Sequence, residues 1–216
     1  YVKSNKTEHA YEGFLADGTS NFAEAVRTIR TGLMLSNLDE PHKITVITSS
    51  VPNEGKSTVS LNLAAAIGQM EKVLLIDADM RRPTLAKTLG LPRATPGLSN
   101  LVAGTADLKD CVRRLPNSTV DVITAGVVPM NPLELLASKR FGQVLQKLSE
   151  HYDRILIDSA PTHAVSDAMV LSTYADALVY VVKADDTAAP LAAKGLTRLR
   201  EVGANITSEV LNQVEL

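Results

Sequence analysis

The chain has 216 residues, 45% hydrophobic and 21% charged, with a formal net charge of −2. That size and balance fit one globular domain with a sizeable core and exclude a disordered chain. The near-neutral total argues against broad nucleic-acid binding, the single Cys111 excludes a disulfide framework or cysteine zinc site, and no apolar run reaches the ~18 residues of a membrane helix.

Residues 1–20 are polar and without sustained period, and read as an arm or linker before a domain spanning 21–216. The chain begins at Tyr1 rather than Met, so we expect a piece of a longer protein. No signal peptide is visible. From 21 to 37 Phe22, Ala25, Val26, Ile29 and Leu33 recur at helical steps, with Ser20 or Asn21 as the cap. A rhythm of short apolar runs and helical patterns follows. Strands are predicted at 43–48, 72–77, 120–124, 154–158, 177–183 and 206–212. Helices are predicted at 56–70, 133–149 (one or two), 166–174 and 188–202. Continuous apolar strands alternating with helices predict an α/β fold, a mainly parallel sheet with helices on both faces. Ligands of such sheets sit at the carboxyl ends of the strands.

The segment Ser49-Ser50-Val51-Pro52-Asn53-Glu54-Gly55-Lys56-Ser57-Thr58 lies between a predicted strand and a predicted helix. A phosphate loop needs that context, because backbone N–H groups and a helix N-terminus converge there on the anion. Gly55 permits close backbone approach, Lys56 can reach β- and γ-phosphates, and the Ser57 hydroxyl can ligate Mg²⁺. The usual pattern has glycine where this chain has Ser50, and Pro52 stiffens the loop instead.

Two predicted strands end in acid, V-L-L-I-D-A-D (73–79) and R-I-L-I-D-S-A-P (154–161). In a parallel sheet those ends lie beside the phosphate loop. Asp77, Asp79 and Asp158 can there hold Mg²⁺ directly or through water, or accept a proton from an attacking hydroxyl. Asp77 and Asp79 are two apart on extended chain and can face the same side.

The motif I-D-A-D-M-R-R-P (76–83) joins S-S-V-P-N-E-G-K-S-T, L-I-D-S-A-P and the helix E-A-V-R-T-I-R. The set resembles the bacterial tyrosine kinases of exopolysaccharide synthesis, cytoplasmic domains of polysaccharide co-polymerases, over roughly residues 21–216. The resemblance implies a P-loop NTPase-like fold with a Walker A loop (Val51, Pro52, Asn53, Glu54, Gly55, Lys56, Ser57, Thr58), a Walker A′ motif (Asp77, Asp79) and a Walker B aspartate (Asp158). It implies ATP and Mg²⁺ as cofactors and phosphoryl transfer to tyrosines of a C-terminal cluster in a neighbouring subunit. Asp77 is the first choice for the base that takes the tyrosine proton, with Asp79, Asp158 and Ser57 supporting the metal; these roles can exchange. Glu24, Arg27 and Arg30 match the family's E-x-x-R-x-x-R helix, which implies a ring-shaped homo-oligomer. Asn212 resembles the residue that reads the adenine edge, although Ser208 and Glu209 depart from the small and apolar residues expected before it. A membrane-spanning partner or activator, an opposing tyrosine phosphatase and a place on the cytoplasmic face of the inner membrane are implied as well. Partition and septum-positioning ATPases share the fold but carry a signature lysine early in the loop, where this chain has Ser or Val; a nucleotide-driven dimeric switch of that type is the alternative.

The chain stops at Leu216 without a tyrosine cluster. Tyr152, Tyr174 and Tyr180 fall in or beside predicted core elements, and Tyr1 and Tyr11 in the arm. Arg81 and Arg82 can contact phosphate or an acidic tail, or form a solvated pair; the sequence does not choose.

Overall fold

The computed structural model describes residues 13–36, 42–92 and 94–214. It opens with a short helix, α1 (Gly13–Ala16), and the longer α2 (Asn21–Leu35). The Ser20 hydroxyl caps α2 by accepting from the Ala23 N–H. The packed chain thus begins before residue 20, within the expected arm. Phe14 is buried against Ala23, Val26, Ala65 and Ala66, and its N–H donates to Asn62 Oδ1 at 2.9 Å. One aromatic in a polar stretch gives no periodicity, which is why the sequence pattern missed this helix. Tyr1 and Tyr11 lie outside the described residues.

Next come β1 (Ile44–Ser49), α3 (Lys56–Ile67) and β2 (Val73–Asp77). Three short helices follow, α4 (Leu85–Thr88), α5 (Leu98–Ala103) and α6 (Leu108–Cys111), then β3 (Val112–Arg114) and β4 (Asp121–Ile123). The segment predicted as one or two helices is two, α7 (Pro132–Leu136) and α8 (Lys139–Ser149), parted where Ser138 turns to extended backbone and caps α8. The chain ends with β5 (Arg154–Asp158), α9 (Asp167–Ser172), β6 (Ala177–Lys183), α10 (Ala189–Glu201) and β7 (Ile206–Asn212).

The strands form one sheet in the order β3-β4-β2-β5-β1-β6-β7. β3 runs antiparallel to β4 at one edge; the other pairings are parallel. Successive residues of the inner strands face opposite sides and are buried on both. Val46, Leu74, Ile76, Ile155, Ile157 and Leu178 join one core with Phe141, Leu145 and Leu199 of the helices. Ile47, Leu75, Leu156 and Val179 join the other with Val59, Leu63 and Ile67 of α3. α3 is buried almost all round, because α1 and α2 cover its outer face.

β7 is the other edge of the sheet, and it resolves the puzzle of Glu209. The side chain is not in a buried strand: it is 55% exposed and lies 3.8 Å from Arg200. Ser208 sits beside Gly32 of α2 and is partly buried.

Candidate active site

β2, β5 and β1 are neighbours and run the same way, so their carboxyl ends share one edge of the sheet. Asp77 and Asp158 are direct register partners on β2 and β5. That edge also carries the turn from β1 into α3. The loop turns through Asn53 (φ 69°) and Gly55 (φ 87°), left-handed positions in succession with one residue between. Gly55 is required twice: by its φ, and because a Cβ there would lie 2.1 Å from the Asn212 amide nitrogen.

The Glu54 side chain turns inward and is buried. One carboxylate oxygen accepts from the Val51 N–H at 2.7 Å; the other accepts from the Thr187 hydroxyl at 2.6 Å and the Lys183 N–H at 3.2 Å. The Glu54 carbonyl accepts from Asn212 Nδ2 at 2.9 Å. Glu54 therefore latches the loop to the end of β6 and the segment after it, and Asn212 latches it to the end of β7. The motif match named Glu54 only as part of the loop; its latch depends on residues 129 and more positions away, which no local pattern reveals.

Lys56 is the first residue of α3 and is buried. Its ammonium lies 3.1 Å from Asp79 Oδ2. Burial alone would lower its pKa, but the charges of Asp158 and Asp79 outweigh that and hold it above the ordinary lysine value. Asp79 also accepts from the Arg82 N–H at 3.0 Å. Asp77 is fully buried and accepts backbone N–H groups of Asp79, Thr84 and Leu85 at 3.2, 3.2 and 3.1 Å. Burial, reinforced by the charge of Asp158, pushes the Asp77 carboxyl up to about 8. Burial likewise raises Asp158, to about 6, with the Lys56 charge pulling it back. Asp158 Oδ1 accepts from Ser60 Oγ at 3.3 Å, whereas Asp158 Oδ2 is buried without a hydrogen-bond partner.

Three buried carboxylates thus face one ammonium, and one carboxylate oxygen is orphaned. Burial and mutual repulsion raise Asp77 and Asp158, and a further cation would relieve both. The donors on hand, carboxylates and the Ser57 hydroxyl, are hard oxygens that suit Mg²⁺. The described residues contain no cluster of His, Cys, Asp or Glu able to hold a metal by themselves. Mg²⁺ commonly keeps waters and phosphate oxygens in its shell, so one or two protein ligands suffice.

Other groups went unread in the sequence. The Thr84 hydroxyl donates to Ser57 Oγ at 3.0 Å, and Thr84 carried no motif signal. Arg81 is not a free phosphate contact: its guanidinium grips the fully buried Asp167 at 3.1 and 3.3 Å. Glu24, Arg27 and Arg30 lie on α2, outside the phosphate site. Arg27 pairs with Glu24 at 3.0 Å, donates to the Gly18 carbonyl and sits over the Phe14 ring. Arg30 donates to the Ala66 carbonyl of α3 at 3.1 Å. Within one chain, both arginines fasten α2 to its neighbours.

A protein family described as AAA domain matches residues 43–216. The chain is similar to Tyrosine-protein kinase YwqD of Bacillus subtilis, 35% identical over 90% of this chain and 82% of that one. It is 37% identical to Tyrosine-protein kinase etk of Escherichia coli K12 over 98% of its own length but 30% of the longer protein. The solved kinase domain of Escherichia coli ETK superposes with a TM-score of 0.88 at 32% identity, covering 100% of this chain and 86% of that one. The septum site-determining protein MinD of Pyrococcus horikoshii, solved with Mg-ADP, superposes less closely, with a TM-score of 0.64 at 27% identity over 78% of this chain and 69% of that one.

Proposed function

The chain belongs to the bacterial tyrosine-protein kinases, and from that premise we propose that it transfers the γ-phosphoryl group of Mg-ATP to a tyrosine hydroxyl supplied by a second chain. The observation that carries this is the orphaned Asp158 oxygen among three buried carboxylates beside the phosphate loop. Bound Mg²⁺ would neutralise charge on the phosphate oxygens, held by Ser57 and Asp158.

The chain's own residues divide the remaining work. The loop N–H groups and the N-terminus of α3 bind the phosphates. Lys56, held charged by Asp158 and Asp79, stabilises the negative charge of the group in transfer. Asp79 aims Lys56 through the 3.1 Å pair. Asp77 in its ionised form is the proton acceptor: its carboxyl is raised to about 8 in the ligand-free chain, a bound cation beside it would favour the ionised form, and a carboxylate of raised pKa is a better base toward a hydroxyl of pKa about 10 than an ordinary aspartate. Its three backbone donors fix its position and still leave lone-pair capacity, since a carboxylate offers about four sites.

Two of the described tyrosines, Tyr152 and Tyr180, do not suit the acceptor role. Tyr180 and Tyr152 are buried, and their hydroxyls donate to Ser50 and Asp121. A tyrosine-rich segment of a neighbouring copy fits the site better, and the family resemblance favours such a substrate in the control of exopolysaccharide export at a membrane. Asn212 keeps one amide proton and its carbonyl beyond the Glu54 bond, which suits the adenine edge. The α2 helix is our choice for the ring contact. Because Arg27 and Arg30 also fasten α2 within the chain, Glu24→Ala is the cleaner test of the ring, read by gel filtration.

The deciding experiment mixes the chain with Mg-ATP and a separate tyrosine-rich peptide, with Lys56→Met alongside. Phosphotyrosine that disappears in the variant supports the kinase. ADP without phosphotyrosine supports the second reading, a partition-type ATPase switch, to which the fold likeness to MinD lends weight.

A further inference from the structure

Ser50 stands where the usual phosphate-loop pattern has glycine. Its φ is not positive, so the backbone there accepts a side chain without strain. What that side chain meets is the phenol of Tyr180. Tyr180 lies on β6, one residue pair from the loop, in register with Thr48 of β1. Its hydroxyl donates to Ser50 Oγ at 3.0 Å. The Thr162 hydroxyl lies 3.3 Å from the same phenol oxygen and 3.2 Å from the Ser49 carbonyl. Thr162 and His163 also give their backbone N–H groups to the Ser49 and Ser50 carbonyls at 2.8 and 3.1 Å. Ser50, Thr162 and Tyr180 are all completely buried.

The fold has made room for this phenol. A Cβ on Gly195 of α10 would lie 1.9 Å from the Tyr180 hydroxyl and 2.7 Å from Thr162 Oγ1. Only glycine lets α10 pass so close. The result is a closed patch of hydroxyls under the loop. Each member fixes another, and together they tie the first loop residue to β6 and to the turn after β5.

We propose that Tyr180 is a positioning residue for nucleotide binding: its O–H holds Ser50, and through Ser50 it sets the phosphate loop in the conformation that receives phosphate. In a glycine-led loop the backbone alone sets that conformation. Here the fixed side chain at position 50 takes over. The inference deepens the reading of the loop as an Mg-nucleotide site and rests on it.

The test uses the whole chain and a fluorescent ADP analogue with Mg²⁺, together with phosphoryl transfer to a tyrosine-rich peptide. Tyr180→Phe removes one oxygen and keeps the ring. It should raise the nucleotide Kd and the KM for ATP about fivefold, the usual worth of one lost hydrogen bond, and leave kcat at saturating ATP within about twofold. Ser50→Ala reads the same bond from its other end and should match it. The double variant should bind no worse than either single one. Tyr152→Phe is the control, since it loses a comparable 2.9 Å bond to Asp121 at the far end of the sheet. It should shift the thermal midpoint and leave the Kd unchanged. Tyr180→Phe that shifts the midpoint but not the Kd overturns the proposal, as do effects that add in the double variant. If the unsubstituted chain binds no nucleotide, the reading of the loop fails and this proposal with it; if it binds and only the variants fail to respond, the loop reading survives alone.

Discussion

Strand β5 has a buried charged residue at each end. At its start Arg154 gives its Nε and Nη2 to Glu71 at 2.6 and 3.4 Å and its Nη1 to the His42 carbonyl. Every donor there that is used has an acceptor of matching shape, the arrangement expected of a charge that serves the fold. At its end, Asp158 keeps one oxygen without a partner, next to two more carboxylates and a single ammonium. The same strand therefore closes its amino end electrostatically and leaves its carboxyl end open. Charge left uncompensated in a core is a cost to stability, and such a cost points to a ligand that relieves it.

The sharpest way to break this contrast is Lys56→Met. It should cut phosphotyrosine formation by about 10³-fold or more, because the ammonium that stands among the three carboxyl groups beside the loop is gone. Activity that survives would show that the open end is not the site. Arg154→Ala tests the closed end. Leaving Glu71 and the His42 carbonyl without their partner should cost about 3 kcal/mol in urea unfolding, with kcat per folded molecule unchanged. A large loss of kcat without a loss of stability would reverse the assignment of the two ends.

Ligand addition comes next. Mg-ADP at about 100 times its Kd should raise the unfolding free energy by about 2.7 kcal/mol. EDTA should remove most of that gain, and Asp158→Asn should make the protein indifferent to Mg²⁺. A gain that ignores EDTA would sink the metal assignment. The smaller effect concerns pH. The ordinary aspartate value is 3.8, and Asp77 in the folded, ligand-free chain is pushed up to about 8. Between these values the folded chain keeps a proton that the unfolded chain has released. Stability is then full below about pH 4 and declines as pH rises toward 8. Asp77→Asn should flatten that decline and stabilise the free protein at pH 8 by on the order of 2 kcal/mol, while lowering transfer. A stability profile that rises over this range would contradict the buried, proton-binding carboxyl.

Much of this was legible in the sequence, and the reason is physical. The parallel sheet announced itself through strands buried on both faces, such as Val73–Asp77 and Arg154–Asp158. The phosphate loop and the three aspartates follow from a local pattern of strand, turn and helix. What escaped notice depends on long-range contacts or on too few residues. β3 is three residues at an edge, and its pairing with β4 leaves no period to read. α1 rests on Phe14 meeting α3. The predicted helix from 56 to 70 ends instead at Ile67, where Gly68 packs beside Val120. The expectation of small and apolar residues at 208 and 209 suits a strand inside the sheet, whereas the last strand is an edge. The partners of Glu54 and Ser50 are visible only once β6 has been laid beside β1.

The bond from Asn212 to the Glu54 carbonyl joins positions 158 residues apart. β7 can supply it only after pairing with β6, at the very end of the sheet's assembly. As the chain leaves the ribosome, the loop is made early and Asn212 late. A nascent polypeptide lacking that last strand has its loop sequence but not the complete latch. The latch on the loop is thus complete only when translation has passed Asn212 and β7 has paired with β6.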